Sequence, residues 1–106
     1  MEGHVVVVFR SRLRDDAPGR RYNTLAAELE AHAAAAPGFV EFKEFVAADG
    51  ERLALVTFDS AAAEAAWRDD PVHRAAQNEG RADFYSEYDV AVTEVMRRHT
   101  WARSGA

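Results

Sequence analysis

The chain has 106 residues, a 48% hydrophobic share, a formal net charge of −5 at pH 7 and no cysteine. That size and hydrophobic content predict one domain with a modest core rather than a disordered chain. The charge opposes nonspecific nucleic-acid binding, and the missing cysteines exclude disulfides, thiolate nucleophiles and Cys-ligated zinc or iron–sulfur sites.

"HVVVVFRSRL" (4–13) reads as a strand, because four consecutive valines are β-branched and apolar on both faces. "RDDAPGRR" follows as a turn-rich loop around Pro18 and Gly19, and Arg10, Arg12, Arg14, Arg20 and Arg21 cluster there as a solvated surface. A helix is predicted over 22–36, capped by Asn23 or Thr24, with Leu25, Leu29 and His32 at helical spacing and Pro37-Gly38 as its stop. Glu28 and His32 pair on its surface. Strands near 39–47 and 52–58 flank "ADGE", where Asp49-Gly50 signals a hairpin. Ser60 caps a helix through "AAAEAAWRDD". Asp70-Pro71 breaks it and restarts it, with Asp70 as N-cap and Pro71 at the first helical position, and this second piece runs to about Gly80. The last strand is predicted over 85–98, and 99–106 is a tail, which leaves 1–98 as the single domain.

The order β-α-β-β-α-β is the ferredoxin-like arrangement: an α+β fold with a four-stranded antiparallel sheet and the helices on one face. Val5–Val8 and Leu53–Val56 are apolar on both sides, so a lone subunit would expose a large apolar patch. A second copy packed sheet to sheet removes it and predicts a homodimer.

No Gly-rich phosphate loop, HExxH pair or nucleophile elbow is present. His4, His32, His73 and His99 are too scattered to suggest a metal site. RNA-binding modules share this element order, but Leu53 and Leu55 stand where stacking rings are needed. No stretch approaches the roughly 20 apolar residues of a membrane helix, and "MEGHVVVVFRSR" lacks the apolar run of a signal peptide. A disulfide-free domain of this size fits the cytoplasm.

Chemistry concentrates in "PVHRAAQNEGRADFYSEY" (71–88). On a helix His73 and Gln77 share one face, Arg81 follows a turn later, and Trp67 ends the preceding piece. An imidazole, a carboxamide and a guanidinium near several rings suit a small-molecule pocket. The same pattern also fits a core of Trp67, Phe84 and Tyr85 with the polar groups in water.

The segments "GFVEFKEFVAADGERLALVTFDS" and "AWRDDPVHRAAQNEGRADFYSEYDVAVTEV" resemble the antibiotic biosynthesis monooxygenase family of dimeric α/β barrels. The likeness spans residues 4–97. It rests on Gly38-Phe39, the "DGE" hairpin, Asp59-Ser60, Trp67, His73 and the run of Gly80, Arg81, Phe84, Tyr85 and Tyr88. The resemblance implies a homodimer with a pocket between sheet and helices in each subunit. It further implies oxidation of phenolic or quinol-type aromatics, often polyketide-derived, by O₂ without flavin, haem or metal. An electron-rich aromatic, once deprotonated, reduces O₂ itself, so the protein supplies a dry pocket, a base and oxyanion donors.

Carried over by position, the resemblance gives Trp67 and His73 as catalytic residues and Gln77, Arg81, Phe84 and Tyr85 as the substrate pocket. Two departures stand out. Ala63 occupies the place where aromatic-polyketide oxidisers carry an Asn. The haem-degrading branch has an Asn on the first strand and a ligand His on the second helix, where this chain has Val or Phe and, near the latter, Gln77. The competing expectation is a homodimer of the same fold that binds a small ligand, or serves only as structure, without turnover.

Overall fold

The computed structural model describes residues 3–17 and 19–103, with the backbone alone for Arg20. The predicted turn at Pro18, the Arg20 side chain and residues 104–106 of the tail lie outside what is described. The order is β1 (Val5–Leu13), α1 (Gly19–Ala35), β2 (Phe39–Val46), β3 (Arg52–Phe58), α2 (Ala61–Asp69), α3 (Pro71–Glu79), a π-helical turn (Gly80–Phe84) and β4 (Tyr85–Glu94). The strands form one antiparallel sheet in the order β2-β3-β1-β4. This is the α+β architecture expected from the sequence.

Period-two alternation sorts the central strands. Val5 faces Phe58 and Val7 faces Val56 across the β1–β3 ladder, and all four are buried toward the helices. Val6, Val8, Leu53 and Leu55 point the other way and are half-buried, and Phe45 beside Leu53 is exposed. Among the described residues, this second face carries no helix.

The helix side holds two apolar clusters. Val7, Ala33, Val56, Phe58 and Trp67 form one, and Tyr22, Leu25, Ala76 and Phe84 form the other. Helix α1 starts at Gly19 rather than 22, so Asn23 and Thr24 lie inside it and do not cap it. Its start follows the burial stripe, since Tyr22 and Leu25 are both buried one turn apart.

The break between α2 and α3 falls where Asp70-Pro71 predicts it. The π-helical turn after α3 was not legible. A Cβ on Gly80 would stand 2.6 Å from a ring carbon of Tyr85, so the bare glycine lets that ring pack against the helix end. Strand β4 stops at Glu94, short of 98. The Val95 amide still donates to the His4 carbonyl at 2.8 Å, after which residues 95–103 run without regular structure and Met96 and Trp101 are exposed.

The arginines of β1, the loop after it and the start of α1 pair with acids: Arg10 with Glu51 at 2.9 Å, Arg12 with Asp49 at 2.8 Å, Arg14 with Asp16 at 2.8 Å and Arg21 with Glu79 at 2.7 Å. Exposed pairs of this kind contribute little stability. No helix among the described residues is long and apolar enough to cross a membrane.

Candidate functional site

A cavity of about 150 Å³ lies between the helix face of the sheet and the three helices. Phe9, Ala54 and Val56 supply apolar surface from the central strands, and Leu25 and Leu29 supply it from α1. Tyr88, Val90 and Val92 of the edge strand β4 also line it and are partly open to solvent, which marks its rim.

Its polar groups come in two sets. Glu64, Trp67, Arg68, His73 and Gln77 come from α2 and α3, and Ser11, Tyr22, Glu44, Arg52 and Tyr85 come from α1 and the four strands.

The first set is placed by helix capping. The Ser60 hydroxyl accepts from the Ala63 amide at 3.1 Å and starts α2. The Asp70 amide donates to the Trp67 carbonyl at 3.2 Å, closing that helix. The Asp70 carboxylate then accepts from the Val72 amide at 2.8 Å, and Pro71 begins α3. This tight restart brings the His73 ring to 4.1 Å from the Trp67 ring, centroid to centroid, with the planes at 46°.

Two ring nitrogens there, Trp67 Nε1 and His73 Nδ1, are buried with no hydrogen-bond partner. Buried polar atoms are normally satisfied, so two unsatisfied ring nitrogens side by side at a cavity wall are unusual. Burial, and secondarily the nearby His32, holds the His73 pKa below its ordinary value, while Asp70 opposes the shift. The imidazole is therefore neutral near pH 7 and able to accept a proton. His32, which the sequence pairs with Glu28, instead meets Asp70 at 3.2 Å.

Gln77 lines the cavity one turn after His73. Tyr85 also lines it, and burial raises its pKa, as it does that of Tyr22, so both remain neutral phenols.

The other two residues assigned to the pocket from the sequence do not line it. Phe84 is fully buried in the cluster with Tyr22, Leu25 and Ala76, because the π-helical turn points it inward. Arg81 donates to the Tyr88 hydroxyl at 2.9 Å and to the Asn78 side chain, so it fastens a rim residue.

Glu64, Arg68, Ser11, Tyr22, Glu44 and Arg52 were missed. Helical spacing carried a signal for Glu64, which precedes Trp67 by one turn on α2. Glu44 and Arg52 bridge at 2.9 Å across the β2–β3 ladder, a contact that only the register reveals. Ala63 lies outside this cavity. It lines a larger, more open groove of about 620 Å³ with His32, Gly38, Asp59 and Asp70, and Trp67 borders both spaces. Among the described residues, no group of three or more His, Asp or Glu is arranged to hold a metal ion.

No family model matches the sequence. The uncharacterised protein YqjZ of Bacillus subtilis is 32% identical over 95 residues, covering 90% of this chain and 82% of that protein. An Asn-to-Ala variant of SnoaB, a cofactor-independent oxygenase from Streptomyces nogalater, superposes with a TM-score of 0.77 at 16% identity, covering 91% of this chain and 96% of that one. A candidate antibiotic biosynthesis monooxygenase from Nitrosomonas europaea gives 0.76 at 9% identity, with 91% and 93% covered. At such identities the likeness to solved structures is one of fold.

Proposed function

The chain belongs to one family with YqjZ and has the fold of the antibiotic biosynthesis monooxygenases, and from that premise we propose a monooxygenase that uses O₂ on a small hydroxylated or quinol-type aromatic without flavin, haem or metal. The observation that carries this reading is the stack of His73 on Trp67 at the wall of a ring-sized cavity, with His73 Nδ1 and Trp67 Nε1 both buried and unpartnered. A dry cavity on the order of 150 Å³ accepts a benzene ring. One or two fused rings fit here, with substituents extending past the rim at Tyr88 and Val90.

With its proton on Nε2, the neutral His73 presents the Nδ1 lone pair to a substrate hydroxyl or an acidic ring C–H. Removing that proton raises the electron density of the ring. The Trp67 N–H and the Gln77 amide donate to the oxygen that gains charge. The electron-rich anion passes one electron to O₂, and the resulting radical and superoxide join through a new C–O bond. His73 returns its proton to the peroxide, which loses water and leaves a carbonyl at the attacked carbon. One O₂ is consumed per substrate, one oxygen atom enters the product and the other leaves as water. The apolar walls exclude bulk water and prolong the anion.

The homodimer belongs to the same proposal. Val6, Val8, Leu53, Leu55 and Phe45 form an apolar face that no helix among the described residues covers, and a symmetric second copy buries it. Sedimentation equilibrium at micromolar concentration tests this; a monomer contradicts it. Oxygen uptake with metal-chelated, flavin-free protein tests the reaction. Stoichiometric uptake that depends on His73 supports it. Binding of aromatics with no uptake across a broad panel leaves a ligand-binding dimer instead.

A further inference from the structure

Glu64 is the one acidic side chain among the buried polar residues that the structure describes, at 3% exposure, and it lines the ring cavity beside Trp67. Acids in the first turn of a helix are common because they face the positive end of its dipole. That role is fulfilled at the surface and gives no reason to bury the group in an apolar wall. A buried carboxylate must be paired or hydrogen-bonded.

The ion pair to Arg68 spans 3.5 Å, and Arg68 is half exposed and stands 3.9 Å from a second acid, Asp69. A carboxylate accepts up to about four hydrogen bonds. Arg68 meets only part of that capacity. Trp67 Nε1 is a donor and His73 Nδ1 presents a lone pair, so the carboxylate is the only anionic acceptor that α2 and α3 bring to the cavity among the described residues.

We infer that Glu64 is a substrate-binding residue whose carboxylate accepts the hydroxyl hydrogen of the aromatic, which makes a free phenol, rather than its ether, the ligand class of this cavity. This rests on the reading of the cavity as an aromatic site but does not require turnover. Glu64 holds one hydroxyl in its protonated form, and the proton that His73 removes comes from a second hydroxyl or an acidic ring C–H. The same carboxylate repels an anionic substituent, so benzoates are disfavoured where phenols are accepted.

Isothermal titration of the full chain at pH 7 with hydroquinone, its dimethyl ether and 4-hydroxybenzoate tests the inference. Wild-type protein is expected to bind hydroquinone about ten-fold or more tightly than the ether, the scale of a hydrogen bond to a charged acceptor. Glu64→Gln keeps the side-chain shape and is expected to lose most of that preference and to relax the exclusion of the benzoate. Equal wild-type affinity for the phenol and its ether overturns the assignment while leaving the aromatic site standing, and this comparison needs no variant to fold. A preference that persists in folded Glu64→Gln also overturns it. Binding of none of the three compounds overturns the aromatic-site reading itself, and the inference with it.

Discussion

His73 and Trp67 stack with their ring centroids 4.1 Å apart across the junction of two helices, with Asp70 and Pro71 in between. The contact does not depend on a long-range fold element to bring the two rings together. It is made within seven residues by a helix that ends and at once restarts.

Asp70 is therefore expected to control the site from outside it. Asp70→Ala removes the cap on the Val72 amide and the partner of His32. Loss of an N-cap costs about 1 kcal/mol. The melting temperature is expected to fall by several degrees for a domain of this size. Aromatic affinity should fall as well, because the first turn of α3 carries His73. Unchanged affinity in a destabilised variant contradicts the link between cap and site.

His73 also links stability to pH. Its pKa lies below the ordinary 6.5 in the folded chain, chiefly through burial. Between the two values the unfolded chain binds the proton and the folded one does not. Stability is therefore full above the unfolded value and declines as pH falls from about 6.5 toward the lowered one. His73→Phe is expected to flatten that slope in urea titrations between pH 7 and 5. Asp16, Asp49 and Glu79 have pKa values lowered mainly by hydrogen bonds from Arg14, Arg12 and Arg21, and being exposed they add only a weak further loss at more acidic pH.

Filling the cavity separates fold from binding. Ala54 lies on β3 at the cavity wall. Ala54→Leu places its extra carbons in empty space, so its stability is expected to change by less than about 1 kcal/mol. Aromatic affinity is expected to drop at least ten-fold. Calorimetric titration alongside thermal denaturation reads both, and undiminished binding places the ligand elsewhere.

Gly38 turns the chain from α1 into β2 at a φ of +84°, and an added Cβ would meet the Ala63 Cβ and an Asp59 carboxylate oxygen, each at 2.6 Å. Gly38→Ala combines an unfavourable backbone conformation with a contact that must shift, so a loss of more than about 1 kcal/mol is expected in chemical denaturation. A neutral outcome contradicts the tight α1–β2 turn.

Features of the fold that rest on local chemistry were legible in the sequence. The β-branched runs, the Asp49-Gly50 hairpin, the Ser60 cap and the Asp70-Pro71 restart each define their geometry within a few residues, and together they gave the element order. The close approach of Trp67 and His73 was legible too, because the restart fixes their relative position. What the sequence hid depends on contacts between distant segments. Phe84 looked like a pocket residue until the π-helical turn aimed it into the core. Arg81 carried an attractive charge, but Tyr88 and Asn78 take up its donors. Glu64 stands in the first turn of α2, and only the packing of that helix on the sheet buries it. The early start of α1 was masked because "APGRR" reads as a loop on composition, whereas the buried stripe through Tyr22 extends the helix back to Gly19.

The most direct test of the central claim is oxygen consumption by metal-chelated, flavin-free protein with a panel of one- and two-ring phenols and hydroquinones, comparing wild type with His73→Ala. One O₂ consumed per substrate is expected, with a single labelled atom from ¹⁸O₂ in the product and a loss of about 10²- to 10⁴-fold in the variant, the range for a general base. No uptake with any member of a panel that the protein demonstrably binds, or uptake unaffected in folded His73→Ala, contradicts it.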